Sequence, residues 1–425
     1  MAIDQEKNYK LLSDEPVLES GRADRLEFEH TAKVLARAAL HADSPITIGI
    51  YGGWGSGKTS LMRLMWQCVE EEGLGARPAV AVWFNAWQYE REEHLVVPLI
   101  ATIARDIKNK QMQWKKKKGK AARDASKIMD TGGSKIHDAL RSVLYGVSIV
   151  GKFGIPHVGE LEISASMKDM IERYEAVTKD TLMARSLYFD AFDKLRELAH
   201  DKKVEKPQIV VFIDDLDRCF PEHAVRLIES IKLILHQPSF AFVLGIYPQI
   251  IEEFIRNKYA AQYSLAAAQV AAKDLSDLQS RMDKYLGYFD DYLEKIVQVH
   301  HYVPERGPSQ MQSYIKQLLE EAEVTSEFLV EGVKEEDLFE LIAEVGKRSP
   351  REIIRKMNSL IVKWRISKGE KKTGQAYDLL AGLINEAIQD RVAKGKNEYE
   401  QFLHRLEWHV EDEKSPTYGA ALAKA

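Results

Sequence analysis

Cysteine is scarce: Cys68 and Cys219 are the only two in 425 residues. A disulfide framework and a cysteine zinc cage are therefore excluded, and a reducing, cytoplasmic compartment fits best. Long hydrophobic runs are missing too. The one segment to weigh as a membrane span, Ala139 to Val158, is free of charge only over the ten residues from Ser142 to Gly151. A spanning helix needs roughly 20 apolar residues, so this is a buried or interfacial segment and no membrane span is expected. Met1 to Pro16 is polar and acidic, without the apolar core of a signal peptide. Neither sign of charge dominates, with Lys plus Arg at 60 and Asp plus Glu at 65. A chain-wide nucleic-acid coat is thereby excluded, and any such role needs a local basic patch. With 25 glycines and 13 prolines there is no collagenous or low-complexity body. No HExxH, Cys/His metal spacing or G-x-S-x-G elbow occurs. His300 and His301, adjacent on an expected strand, face opposite ways and make a poor shared ligand pair.

What is present is enough apolar surface, 45% of residues, to bury a core. The length suits two or three domains at roughly 150 residues each. Short β-branched runs alternate with helical patterns. Strands are expected at Thr47–Tyr51, Val80–Phe84, Ile209–Ile213, Phe240–Ile246 and Val297–Val303. Helices are expected at Asp24–Leu40, with Asp24 as N-cap and Glu27 as its capping-box partner, at Lys58–Glu72, Glu92–Met112, Lys168–Ala199, Pro221–Leu235 and Tyr285–Ile296. The alanine-rich stretch from Tyr259 to Lys273 looks like an inserted helix. By composition, Trp114 to Gly133 is the least ordered stretch. From Pro308 onward only helical patterns remain. Strands alternating with helices, then helices alone, argue for a parallel α/β core followed by a helical C-terminal lobe.

Gly52-Gly53-Trp54-Gly55-Ser56-Gly57-Lys58-Thr59 fits G-x-x-x-x-G-K-[ST] in full, between an expected strand and an expected helix. Such glycines let the backbone wrap so that successive N–H groups point at phosphate oxygens. The helix start adds its positive end, and Ser60 lies in its first turn. Lys58 supplies a point charge for the β- and γ-phosphates, and Thr59 a hard oxygen for Mg²⁺. The implied cofactors are ATP and Mg²⁺. The apolar strand from Ile209 ends in Asp214, Asp215 and Asp217, where ligands of open α/β sheets sit. Asp214 is the natural direct or outer-sphere Mg²⁺ partner. Asp215 is the better candidate for orienting and deprotonating the attacking water, with Asp217 as the other.

Taken together these residues resemble the KAP family of P-loop NTPases. The features are GIYGGWGSGKTSLM at 49–62, FNAWQYE at 84–90 and VVFIDDLDRCFPE at 210–222. FAFVLGIYPQII at 240–251, DYLEKIVQVHHYVP at 291–304 and SPREIIRKMNS at 349–359 follow in the family's order. The resemblance covers about residues 18–365. It implies an α/β ATPase with a parallel P-loop sheet of the additional-strand type, a helical insertion and a helical C-terminal lobe. It also implies relatives in phage exclusion and other prokaryotic conflict systems, and in animal membrane scaffolds. Many relatives carry paired membrane spans between the two nucleotide motifs, and this chain looks like a branch without them. After the fourth strand many relatives carry an acidic residue. Here Tyr247 stands in that stretch, which points to slow turnover or to a hydrogen bond made by tyrosine instead.

Asn85, Trp87 and Glu90 follow the second strand. Trp87 and Tyr89 are expected to pack the sheet edge, and the role of Asn85 stays open. Arg351 and Arg355, four apart on one expected helix face, and Arg348 are candidates to reach the γ-phosphate from a lid or from a neighbouring subunit, as is Arg218. Residues 105–135 hold eleven cations against three carboxylates. They are expected to be a solvated, flexible insertion, with nucleic acid or an anionic membrane as the alternative use.

The expected layout is an N-terminal part of the ATPase core at 1–113, a basic and apolar insertion at 114–170, the rest of the core at 171–304 with inserted helices near 259–283, and a helical lobe or lid at 305–425. The expected function is a cytoplasmic Mg·ATP-hydrolysing switch of conformation or assembly. The resemblance adds a setting in anti-phage defence, a homo-oligomer and a separate effector protein. The rivals are a nucleotide-gated scaffold with little turnover and a nucleic-acid-stimulated motor.

Overall fold

In the computed structural model, residues 11–15, 26–42, 45–74, 78–92, 94–151, 203–232, 237–257, 292–322 and 349–369 are described, with a few isolated positions between them. Among the described residues, five strands form one parallel sheet: β1 (Ile46–Tyr51), β2 (Ala79–Asn85), β3 (Gln208–Asp214), β4 (Phe240–Ile246) and β5 (Val299–Tyr302). Their order is β2-β3-β4-β1-β5. β4 therefore lies between the strand that feeds the glycine loop and the strand that ends in the carboxylates, which is the additional-strand arrangement. The helices are α1 (Glu29–His41), α2 (Lys58–Glu72), α3 (Val96–Lys116), α4 (Lys120–Ile128), α5 (Ser134–Gly151), α6 (Pro221–Ser230), α7 (Tyr292–Ile296), α8 (Pro308–Glu321) and α9 (Pro350–Gly369).

The strands form where they do because their apolar residues serve both faces at once. Along β3, Val210 and Phe212 pack with α1, α2, α8 and α9 on one side. Ile209, Val211 and Ile213 pack with α3, α5 and α6 on the other. Every residue of β3 and β4 is buried, so each Val, Ile, Leu and Phe side chain there contributes about 1.5–3 kcal/mol. The result is three layers with helices on both faces, as a parallel sheet requires. α6 opens with Pro221 at its first turn, where the missing N–H costs nothing.

Two expectations are corrected. α1 starts at Glu29, not Asp24, because Glu27 turns through the left-handed region at φ 55° and no side chain caps the helix. Its buried face is Ala32, Leu35, Ala36, Ala39 and Leu40, while Val34 is exposed. The stretch from Trp114 to Gly133 is ordered. α3 runs on to Lys116, α4 follows, and a π-helical turn at Met129–Gly133 leads straight into α5. Trp114, Ala125 and Met129 are buried in the same core as β2 and β3, so 105–135 is no flexible excursion. The expected helix at Lys168–Ala199 (save 196–197), the inserted helices near 259–283 and all of the chain after α9 lie outside the described residues, as do Asp24 and Arg348.

Candidate nucleotide site

The loop from Gly52 to Gly57 leaves the C-terminal end of β1 and runs into α2. Gly57 holds φ 103°, a backbone that side chains rarely adopt. Gly55 is needed for room: a Cβ there would stand 2.5 Å from the Ser349 hydroxyl and 3.0 Å from the Arg351 Cβ. The start of α9 thus closes directly onto the loop. The Ser56 hydroxyl is buried and has no hydrogen-bond partner among the described residues. A glycine cradle with an orphaned hydroxyl and a buried lysine suits a phosphate group.

Lys58 folds back into its own loop. Its Nζ donates to the Gly52 carbonyl at 2.8 Å and the Gly53 carbonyl at 3.1 Å, and lies 3.0 Å from Asp217 Oδ2. Thr59 Oγ1 donates to Asp214 Oδ1 at 3.2 Å across the gap between α2 and β3. Burial, and then the charge of Asp215, push the Asp214 carboxyl up to about 6. A divalent cation would relieve that crowding, so the Thr59 and Asp214 oxygens fit Mg²⁺. Gly245 on β4 leaves space for this carboxylate, since a Cβ there would stand 3.2 Å from Asp214 Oδ1.

Asp215 turns the chain through the left-handed region at φ 57°, ψ 29°. For a residue with a Cβ this is strain of order 1–3 kcal/mol, which persists where surroundings fix it. Both carboxylate oxygens are held. Asn85 Nδ2 donates to Oδ2 at 2.7 Å, and Arg218 Nε lies 2.8 Å from Oδ1. Asn85 is itself fixed at the end of β2, where its Oδ1 accepts from the Gln88 N–H at 3.3 Å. Arg218 lies 5.3 Å over the Trp87 ring, which is half exposed rather than packed at the sheet edge as expected. Tyr89 does pack, stacked on Phe84 at 5.1 Å. Glu90 accepts from the Phe220 N–H at 2.8 Å and sits 3.3 Å from His223 Nδ1. Burial and this carboxylate push the Cys219 thiol up, away from any nucleophilic role.

Lys58, Thr59, Ser60, Trp54, Gly55 and the three aspartates line one cleft, together with Arg218 and Arg351. Its other wall is apolar, from Leu26, Tyr314 and Ile354. Arg355 instead pairs with Glu352 at 3.1 Å and Asp14 at 3.6 Å. Tyr247, just past β4, sets its ring edge-on to Trp54 with centroids 6.4 Å apart. The N-terminal segment also reaches the cleft. Leu12 exchanges two hydrogen bonds of 2.8 Å with the Asn358 amide, and Ser13, Asp14 and Glu15 join the lining. Sequence reasoning left Asn85 open and missed Gly245 and the Leu12–Asn358 clasp. Among the described residues no His, Cys, Asp and Glu cluster could hold a metal alone, and no helix is long and apolar enough to cross a membrane.

The family model described as the KAP family P-loop domain matches residues 26–270 and 278–366. The chain belongs to the KAP family of P-loop NTPases. That membership makes it a nucleotide-binding protein of a hydrolase family. No curated protein matches it. Among solved structures it is similar to the Aeropyrum pernix ORC1 protein in complex with DNA, at 14% identity and TM-score 0.36, covering 93% of this chain and 76% of that one. The Aeropyrum pernix ORC2 protein, with ADPNP and ADP, is similar at the same identity and TM-score, covering 92% and 86%. Those likenesses are too slight to carry over what the two proteins bind.

Proposed function

We propose that this KAP chain binds Mg·ATP and hydrolyses it, coupling the cycle to a change of conformation or assembly. The observation that carries the reading is the convergence of Lys58, Thr59 and three carboxylates on one glycine loop. Lys58 would leave the Gly52 and Gly53 carbonyls for the β- and γ-phosphates. Mg²⁺, held through Thr59 and Asp214, would offset phosphate charge. Asp215 would take a proton from the attacking water as the new bond to the γ-phosphorus forms and the bridging bond to ADP breaks. Arg351, on the chain's own cleft, would meet charge developing on the γ-phosphoryl oxygens. We place this cycle in a homo-oligomer of prokaryotic antiviral defence with a separate effector, on the strength of the family resemblance. A cytoplasmic setting follows from that role.

A nucleotide-gated scaffold with little turnover is the second reading. It is favoured by the double restraint on Asp215 and by the aromatic Tyr247 past β4. Calorimetric titration and phosphate release, run together, test both. Lys58→Ala is expected to abolish tight ATP binding. An unchanged dissociation constant overturns the nucleotide assignment, and wild-type binding without phosphate release selects the scaffold.

A further inference from the structure

The turn between α3 and α4 gathers positive charge that the nucleotide cleft does not use. Lys115 to Lys118, Lys120, Arg123 and Lys127 are all exposed, against a single carboxylate, Asp124, within the same span. Lys115 pairs with Asp130 at 2.9 Å, and Lys127 reaches Asp124 only at 3.8 Å. The other five have no carboxylate within ion-pair distance among the described residues. Lys120, Arg123 and Lys127 lie three and four apart, so they share one face of α4. The opposite face, Ala122 and Ala125, is buried, so the cationic face is held outward by the packing of the fold itself.

We propose that this turn docks double-helical nucleic acid through its phosphate backbone, without reading sequence. From Lys120 to Lys127 the helix rises about 10 Å, a span that holds about three phosphates of one strand. Single strands are held largely by aromatic stacking, and Trp114, the sole aromatic of residues 105–135, is 2% exposed. A basic patch alone gives a bilayer only surface attraction, and firm attachment adds apolar side chains that insert; among the described residues beside the turn only Met112 is large, apolar and exposed. Location supports the assignment. Lys120 and Lys127 border a groove with Leu74, Pro78 and Glu205, and the last two lie just ahead of β2 and β3. That is the N-terminal edge of the sheet, whereas the nucleotide cleft is at the C-terminal edge. Duplex and nucleotide can be bound together.

The test is fluorescence anisotropy of the full chain with a mixed-sequence DNA duplex, the matching RNA duplex, either single strand, and phosphatidylserine vesicles. With about five phosphate contacts, duplex affinity falls about 500-fold between about 50 and 200 mM salt. Reversing Lys116, Lys117 and Lys118 to Glu together weakens duplex binding more than tenfold and lowers the salt slope by about three, with the melting temperature unchanged. Lys58→Ala leaves duplex binding intact, which keeps this result separate from the nucleotide assignment. Whether DNA or RNA duplex binds tighter tells the source of the phosphates. The proposal is overturned by the charge-reversed chain binding as well as wild type, by vesicles or single strands outcompeting the duplex, or by no duplex binding at low salt.

Discussion

Replacing Asp214 with Asn should strengthen the metal-free fold while removing its nucleotide chemistry. Asp214 is 4% exposed, and its carboxyl is pushed from an ordinary 3.8 up to about 6. Folding therefore takes up a proton between those values, and above them the folded state carries a buried ionised group at a cost. At 1.36 kcal/mol per unit, a rise of about two units is about 3 kcal/mol. The penalty is absent below about pH 4, grows toward about 6 and is fully present above that. Asn keeps the shape and can still accept from Thr59, but never ionises. Urea unfolding with a chelator present should show the variant ahead of wild type by a margin that widens by about 2 kcal/mol between about pH 4.5 and 8. With saturating Mg·ATP the order should reverse, because the ligand then stabilises wild type alone. Parallel pH dependences for the two chains would refute the reasoning.

Asp215→Asn should keep Mg·ATP binding and lower turnover by about 10²–10⁴-fold; normal turnover alongside a dead Asp217→Asn would move the role to Asp217. Trp114→Ala should lose about 3–5 kcal/mol in chemical denaturation, because the side chain is buried against the β2 side of the core. An unchanged midpoint would mean α3 does not belong to that core. Mixing an Arg351→Ala chain with a Lys58→Ala chain should restore no activity, since Arg351 lines its own chain's cleft. Rescue would instead place an arginine in trans.

The parts of the fold visible in the sequence were those whose determinants are local. The glycine loop fixes the join of β1 and α2, and the helix runs from Lys58 to Glu72 as its spacing predicts. β4 is a continuous apolar run bounded by polar residues, and its limits match. Residues 114–133 escaped because lysines dominate their composition, while Trp114, Ala122 and Ala125 are too few and mostly too small to announce a buried face. At the site, three aspartates could be placed beside the loop, but their restraints could not. Asn85 and Asp215 are 130 residues apart, and Leu12 and Asn358 are 346 apart. Such contacts are made by the sheet order and by where α9 lands, neither of which leaves a local signature.

The position of β4 has a mechanical consequence. β1 and β3 stand two inter-strand steps apart, roughly 9–10 Å, and that interval is set by backbone ladders on both sides of β4. Side-chain changes can tune the chemistry at either end but cannot alter this gauge. A phosphate chain and cation seated between Lys58 and Asp214 would act as a cross-brace between two strands that share no hydrogen bonds. Loss of the terminal phosphate would shorten the brace while the gauge stays fixed. The slack would then fall on what touches the loop from outside the sheet, first of all Ser349 and Arg351 at the head of α9.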